Sequence, residues 1–293
     1  MRRSRLLTGV LVAAFALAAV PALQAATLAP YRGFGTWVDI YDTGVWNDPE
    51  AAVSAIAARG VQTIYLETAN YRQRRAIVRS KLVGRFLEAA HASGMRVVAW
   101  YLPGFLDPSK DVARSLAAIR FETTGGQTFD GFALDIESEA VKSPTRRTAR
   151  LLRVARELRA AVGPEYRLGA IIPSPRGLEL SPTAWPGFPY RGLAERFDVF
   201  LPMVYFTYRT NGRQGTRAYV SESIAVLRRE TGDPSARIHL IGGVADSATL
   251  GEVRGFADAV CGDHLLGASL YDFATTSARH WAPLRRLATC VAG

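Results

Sequence analysis

Short apolar runs, rich in β-branched residues, recur along the chain, and each is followed by a stretch with helical spacing. The strand candidates are "FGTWVDIYD", "VQTIYLETA", "MRVVAWYLP", "FDGFALDIE", "YRLGAIIPS", "FDVFLPMVYF", "RIHLIGGVA" and "LLGASLYDF". Between them stand segments such as "DPEAAVSAIAARG" and "SKLVGRFLEAAHASG", which open on Asp or Ser, close on Gly and repeat apolar residues at helical intervals. The longest, "SPTRRTARLLRVARELRAAVG", marks one face with Leu151, Leu152, Ala155 and Leu158. Strands that alternate with helices, without hairpin turns, predict right-handed crossovers and a parallel sheet. Eight such units predict an α/β fold, a single closed (β/α)8 barrel. An open doubly wound sheet is the alternative, but it calls for a glycine-rich turn after the first strand, and "IYDTGVWNDP" has no G-x-G-x-x-G. The Pro-rich "SPTAWPGFPYRG" reads as an irregular loop after strand five, so residues 26–293 are expected to form one domain.

The first 25 residues read differently. "MRRSR" is a basic start, "LLTGVLVAAFALAAV" an apolar core, and "PALQA" ends in small residues. That order predicts a secretory signal peptide cleaved after Ala25. A membrane anchor is the alternative, but the run is short against the roughly 20 residues a bilayer span needs. The expected mature protein is secreted or held in the cell envelope or periplasm, free of the membrane and monomeric. Its formal charge falls from +10 to +7 on loss of Arg2, Arg3 and Arg5. The remaining basic residues are almost all arginines, scattered without a dense run or interleaved aromatics, which argues against a nucleic-acid partner. The two cysteines, Cys261 and Cys290, suit a disulfide in an exported chain, with two separate buried thiols as the alternative.

In a barrel of this kind chemistry sits at the C-terminal ends of the strands. Alternation along strand four turns Phe132, Leu134 and Ile136 toward the helices, and Ala133, Asp135 and Glu137 toward the barrel mouth. Two carboxylates so close on one segment are costly without a task. Other strand ends add Asp39 and Tyr41 with Asp42 beyond, then Tyr65 and Glu67 with Asn70, and Trp100 with Tyr101. Strand six adds Met203 and Tyr205, followed by Tyr208, and strand eight Tyr271 and Asp272. Acids and aromatics around one rim suit a sugar, whose ring faces pack on aromatic rings and whose glycosidic bond yields to carboxyl groups. Each residue also has a plainer reading: Asp39 or Glu67 paired with a rim arginine, the tyrosines as upper-layer packing, Asp246 as a helix cap. The four histidines have no metal-ligand spacing, and neither a G-x-S-x-G elbow nor a P-loop occurs, so no metal or cofactor is expected.

The strand-four segment "FDGFALDIE" resembles the D-G-x-D-x-D-x-E motif of family-eighteen glycoside hydrolases, the chitinase-like barrels. Asp130, Asp135 and Glu137 fall on its first acid, third acid and glutamate, and "PMVYF" is similar to the M-x-Y-D element, placing Met203 and Tyr205 on its Met and Tyr. The resemblance implies that Glu137 protonates the leaving oxygen and that Asp135 orients the substrate. Ala133 stands where the family has its middle aspartate, Phe206 follows the tyrosine in place of an acid or amide, and Tyr271 stands for the strand-eight tryptophan. In outline the chain is closer to exported, glycoside-hydrolase-like barrels of bacteria. The resemblance implies a class of fold and substrate and leaves the reaction open.

The expected function is hydrolysis of a polysaccharide, oligosaccharide or cell-envelope glycan. Glu137 would be the acid, Asp135 its orienting partner, and Glu67 or Asp39 the base or nucleophile. Tyr41, Tyr65, Tyr101, Met203 and Tyr205 would bind substrate together with Tyr271 and Asp272. A barrel that binds glycan without cleaving it is the alternative.

Overall fold

Four helices begin on one two-residue signal. Asp48–Pro49, Asp107–Pro108, Ser143–Pro144 and Ser174–Pro175 each place an oxygen-bearing side chain at the N-cap and proline at the first helical position. The cap oxygen accepts a free backbone N–H, and proline gives up a donor the first turn could not use. In the computed structural model, which describes residues 27–291, these helices alternate with eight strands. They are β1 (Gly33–Val38), β2 (Thr63–Asn70), β3 (Arg96–Leu102), β4 (Gly131–Asp135), β5 (Leu168–Pro173), β6 (Val199–Val204), β7 (His239–Val244) and β8 (Gly267–Tyr271). All neighbours are parallel, and β8 pairs with β1 to close the barrel in sequence order. The open-sheet alternative is set aside. The proposed signal peptide lies outside the described residues, and no described helix is long and apolar enough to cross a membrane.

Period-two alternation divides the interior into two cores. Outward-facing Phe132, Leu134, Ile64, Leu66 and Ala99 meet the helices in one continuous cluster. Inward-facing Trp37, Tyr65, Val98, Trp100, Ala133, Leu201 and Met203 fill the lumen.

The floor of the lumen is made by bulky side chains set against glycines. Tyr31, from a short 3-10 turn ahead of β1, is fully buried and donates its hydroxyl to Phe132 O (2.7 Å) or Arg167 O (3.0 Å). A Cβ at Gly169 would come within 2.9 Å of the Tyr31 ring, at Gly35 within 2.7 Å of Tyr65, and at Gly267 within 2.3 Å of His239. Small residues on these strands are therefore what admits the large ones, as barrel taper requires.

His239, also fully buried, joins the floor together. One of its ring nitrogens lies 2.8 Å from Tyr31 O, which can only accept, so Nδ1 carries the proton. Nε2 then accepts from Ser269 Oγ (3.0 Å), which itself accepts from Trp37 Nε1 (2.7 Å). Burial holds the imidazole neutral, pushing its pKa down to about 4. At the far end of the chain Cys261 and Cys290 form a disulfide that ties the helix Leu250–Gly262 to the helix Leu287–Cys290, with Cα atoms 5.1 Å apart.

Candidate active site

The strand-four acids stand at the C-terminal mouth. Asp135 is the last residue of β4 and only 5% exposed; Glu137 follows two residues on, with Ile136 buried between them on the outer face. Glu137 touches water through an open cleft, yet the protein mass around it pushes its carboxyl above the ordinary value. Burial pushes Asp135 further, and the charges of Glu137 and Glu67 add to it. Carboxyls placed this way retain a proton more readily than isolated ones.

Two buried polar atoms at this mouth have no hydrogen-bond partner among the described residues: Asp135 Oδ1 and Trp100 Nε1. Both residues line the same cavity of about 610 Å³. A buried donor or acceptor left unpaired costs about 1–3 kcal/mol. A cleft that presents one of each is suited to a hydroxyl group, which can accept from the indole and donate to the carboxyl.

Glu67 and Asp39 face the same cavity from β2 and the end of β1. Glu67 accepts from Ile40 N (3.0 Å) and Asn70 Nδ2 (3.3 Å). Burial pushes its carboxyl up to about 7, with the charges of Asp39 and Asp42 adding and the two hydrogen bonds opposing. Asp39 takes the hydroxyl of Tyr271 on one oxygen (2.7 Å) and the backbone of Tyr41 on the other (2.6 Å). Tyr41 is 63% exposed at the rim, and its hydroxyl accepts from Asn70 (3.0 Å). Met203, Tyr205 and Tyr271 also line the cavity. Among the described residues no arginine pairs with the carboxylate of Asp39 or Glu67; backbone, amide and tyrosine groups hold them instead.

The cleft continues past Glu137 into a second lobe of about 290 Å³, with Glu137, Glu139, Met203 and Tyr205 shared by both. Its far wall is Trp185, from the Pro-rich loop, whose indole donates to Thr148 (2.9 Å) and lies 3.9 Å from the guanidinium of buried Arg147. Ser174, Tyr219 and Arg209 complete the lobe, with Ser174 Oγ and Tyr219 Oη 2.8 Å apart. Chain-local patterns do not reveal this lobe, because its walls come from loops and a helix far apart in sequence. The one local signal was the irregular, tryptophan-bearing loop itself.

Three expected ligand contacts and one expected cap are corrected. Tyr101 faces the helices: it is fully buried and donates to Asp111 (2.7 Å) on the helix Pro108–Ile119. Adjacent strand residues point to opposite faces, so only Trp100 of that pair can enter the lumen. Tyr65 faces inward but lies in the floor, stacked on Trp37 with ring centroids 4.3 Å apart and its hydroxyl 3.1 Å from His239. Asp272 is 5% exposed and spends one oxygen on the N–H (2.9 Å) and hydroxyl (2.8 Å) of Thr275, holding the turn after β8. The helix after β7 is capped by Thr249, in a reciprocal pair with Glu252, while Asp246 is exposed. Asp130, matched to the first acid of the family motif, precedes β4 at the opposite end of the barrel, where it accepts Val97 N (2.7 Å) and pairs with His91 (3.0 Å).

Asp39, Asp42 and Asp272 bring one carboxylate oxygen each to within 4.8 Å of one another, a spacing that can hold a cation. Without one, burial and the charge of Asp272 push Asp42 up to about 7, so that protonation relieves the crowding. The departures from the family motif are packed in. Ala133 is fully buried in the lumen core, and Phe206 packs against Phe256 with centroids 5.7 Å apart.

No family model and no curated protein matches the chain. Among solved structures, an endo-β-1,4-mannanase from Thermotoga petrophila superposes with a TM-score of 0.68 at 11% identity, over 88% of this chain and 76% of that one. A chitinase from Chromobacterium violaceum gives 0.60 at 12% identity, over 89% and 99%. The spore cortex-lytic enzyme of Bacillus cereus gives 0.60 at 8% identity, over 88% and 74%. The fold is one this chain shares with glycoside hydrolases, including the chitinase-like barrels its strand-four motif resembles.

Proposed function

We propose that the protein is an exported glycoside hydrolase that cleaves a polysaccharide or cell-envelope glycan with its own carboxyl groups. The observation that carries this reading is the pair of unpartnered buried atoms, Asp135 Oδ1 and Trp100 Nε1, beside two carboxyls of raised pKa in an open cleft. A stable fold gains nothing from such a layer, whereas a bound sugar completes it.

Glu137, protonated through its surroundings, gives its proton to the glycosidic oxygen as the bond to the anomeric carbon breaks and its electrons pass to the leaving group. Burial favours the acid form of Glu137, and Asp135, deeper in the cleft, orients the sugar. Glu67, with a pKa near neutrality, takes a proton from water as the water oxygen bonds to the anomeric carbon. Asp39, fixed by Tyr271, accepts a sugar hydroxyl, and the two lobes hold the chain on either side of the scissile bond. Water attacking opposite the leaving group inverts the configuration.

Ala133, where the resembled motif has its middle aspartate, favours a second reading: a barrel that binds glycan and leaves it intact. A glycan-library screen on the mature protein, beside Glu137→Gln, decides. The hydrolase reading expects new reducing ends from the wild type alone, with inverted anomers by proton NMR of fresh product. Binding by both proteins with no cleavage by either would leave the binding reading. Retained anomers would make the second carboxyl a nucleophile.

A further inference from the structure

The charge of the cleft runs against that of the chain. The sequence carries 36 Lys and Arg against 26 Asp and Glu. The larger lobe of the cleft is lined by Asp39, Glu67, Asp135, Glu137 and Glu139, and by one cation, Arg72, which is exposed at its edge. Five carboxyls against one guanidinium, inside a basic protein, is a local reversal of sign. None of these carboxyls makes an ion pair among the described residues, although Arg147 lies near enough to Glu139 to feel its charge. Asp135 is 95% buried, and its Oδ1 has no partner among the described residues. The donors at the layer are neutral: Asn70, Tyr271, the backbone N–H groups of Ile40 and Tyr41, and the unpartnered indole of Trp100.

Resting on the hydrolase reading above, we propose that the sugar bound in this lobe carries a free amine, as in a de-N-acetylated hexosamine polymer. An ammonium group brings three donors, no acceptor and one positive charge, which is what a buried, donor-poor carboxyl layer lacks. The carboxyls of Asp135 and Glu67, each raised by burial and by its acidic neighbours, return toward their ordinary values beside such a cation. An N-acetylated or neutral sugar offers hydroxyl and amide donors but leaves the charge uncompensated. An anionic sugar is repelled. Selection for the amine would therefore come from the larger lobe, with Asp135 as the innermost contact.

The test is calorimetric binding of glucosamine and galactosamine tetramers to full-length Glu137→Gln, each compared with its N-acetylated counterpart. The amine form is expected to bind at least about tenfold tighter, with the preference shrinking in about 0.5 M salt. Adding Asp135→Asn should weaken the amine tetramers far more than their N-acetylated counterparts and so remove most of that preference. Should that double variant fail to fold, Glu67→Gln in the same background serves the same purpose. Equal or tighter binding of the acetylated tetramers, binding of neither form, or a preference indifferent to both substitutions would overturn the proposal. Glu137-dependent cleavage of neutral or acetylated glycans without amine preference would sink this inference and leave the hydrolase intact. Amine-selective binding without cleavage of any glycan would do the reverse.

Discussion

The lumen of this barrel holds two polar layers that obey opposite rules. At the floor, Tyr31, His239, Ser269 and Trp37 form a closed set: every ring nitrogen and hydroxyl has a partner, and the one titratable imidazole is held neutral. At the mouth, one layer of side chains higher, Asp135 and Trp100 each keep a buried atom unpaired and four acids are pushed toward protonation or crowd those that are. The floor contains polar groups because the fold can satisfy them. The mouth contains them although the described residues leave two of them unpaired, and that difference separates a structural layer from the candidate site.

If the floor is structural, removing its plug should unfold the protein and spare the chemistry. Tyr31→Ala is expected to cost about 3–5 kcal/mol, since it empties a fully buried aromatic site and removes the hydroxyl donor shared by two carbonyls. Denaturant titration measures the loss, and turnover per folded molecule should be unchanged. A loss of turnover without a loss of stability would erase the distinction between the layers. The disulfide extends the structural side of the comparison to the surface. It closes a sequence separation of 29 residues, worth roughly 3–4 kcal/mol in the chain-entropy model. Reduction should lower stability by that order, read from thermal unfolding with and without reductant.

The mouth should betray itself in pH. Glu67 has a folded pKa of about 7 against an ordinary value of 4.5, so in that interval the folded state binds the extra proton. Its contribution is fully present below the lower value and is lost as pH rises through about 7. Stability should therefore fall by roughly 2–3 kcal/mol from this group between about pH 4.5 and 7.5, and Glu67→Gln should flatten that fall. A profile identical in the two proteins would mean that Glu67 is compensated in the fold. The smallest effect separates inward from outward tyrosines. Tyr101→Phe removes one hydrogen bond to Asp111 behind the barrel wall and should cost about 1–2 kcal/mol with turnover unchanged. A change in substrate affinity would return Tyr101 to the site.

The contrast also explains what the sequence could and could not disclose. Eight strands were legible because alternation with helices is a local pattern, and the Asp-Pro and Ser-Pro helix starts are local too. The inward direction of Asp135 and Glu137 followed from period two alone. Tyr101 was misplaced where that same period should have ruled, because "WYLP" presents two adjacent aromatics and only one can enter the lumen. Tyr65 obeyed the period but sat a layer lower, tied to His239, a partner 174 residues away. Asp272 looked like a rim acid and proved to be turn chemistry with Thr275, three residues on. The second lobe depends on Trp185, Tyr219 and Arg147 meeting across the fold, and an unpartnered atom is a property of three-dimensional packing alone.

The central claim is that the mouth carboxyls are kept for chemistry at a cost to the fold. Glu137→Gln tests it most directly when thermal unfolding and glycan hydrolysis are measured on the same preparation. The substitution keeps the shape and removes one of two crowded acids beside Asp135. The account predicts an unfolding temperature equal to or above that of the wild type, with turnover reduced by about a thousandfold or more. An unfolded or strongly destabilised variant, or one that still cleaves at the wild-type rate, would contradict it.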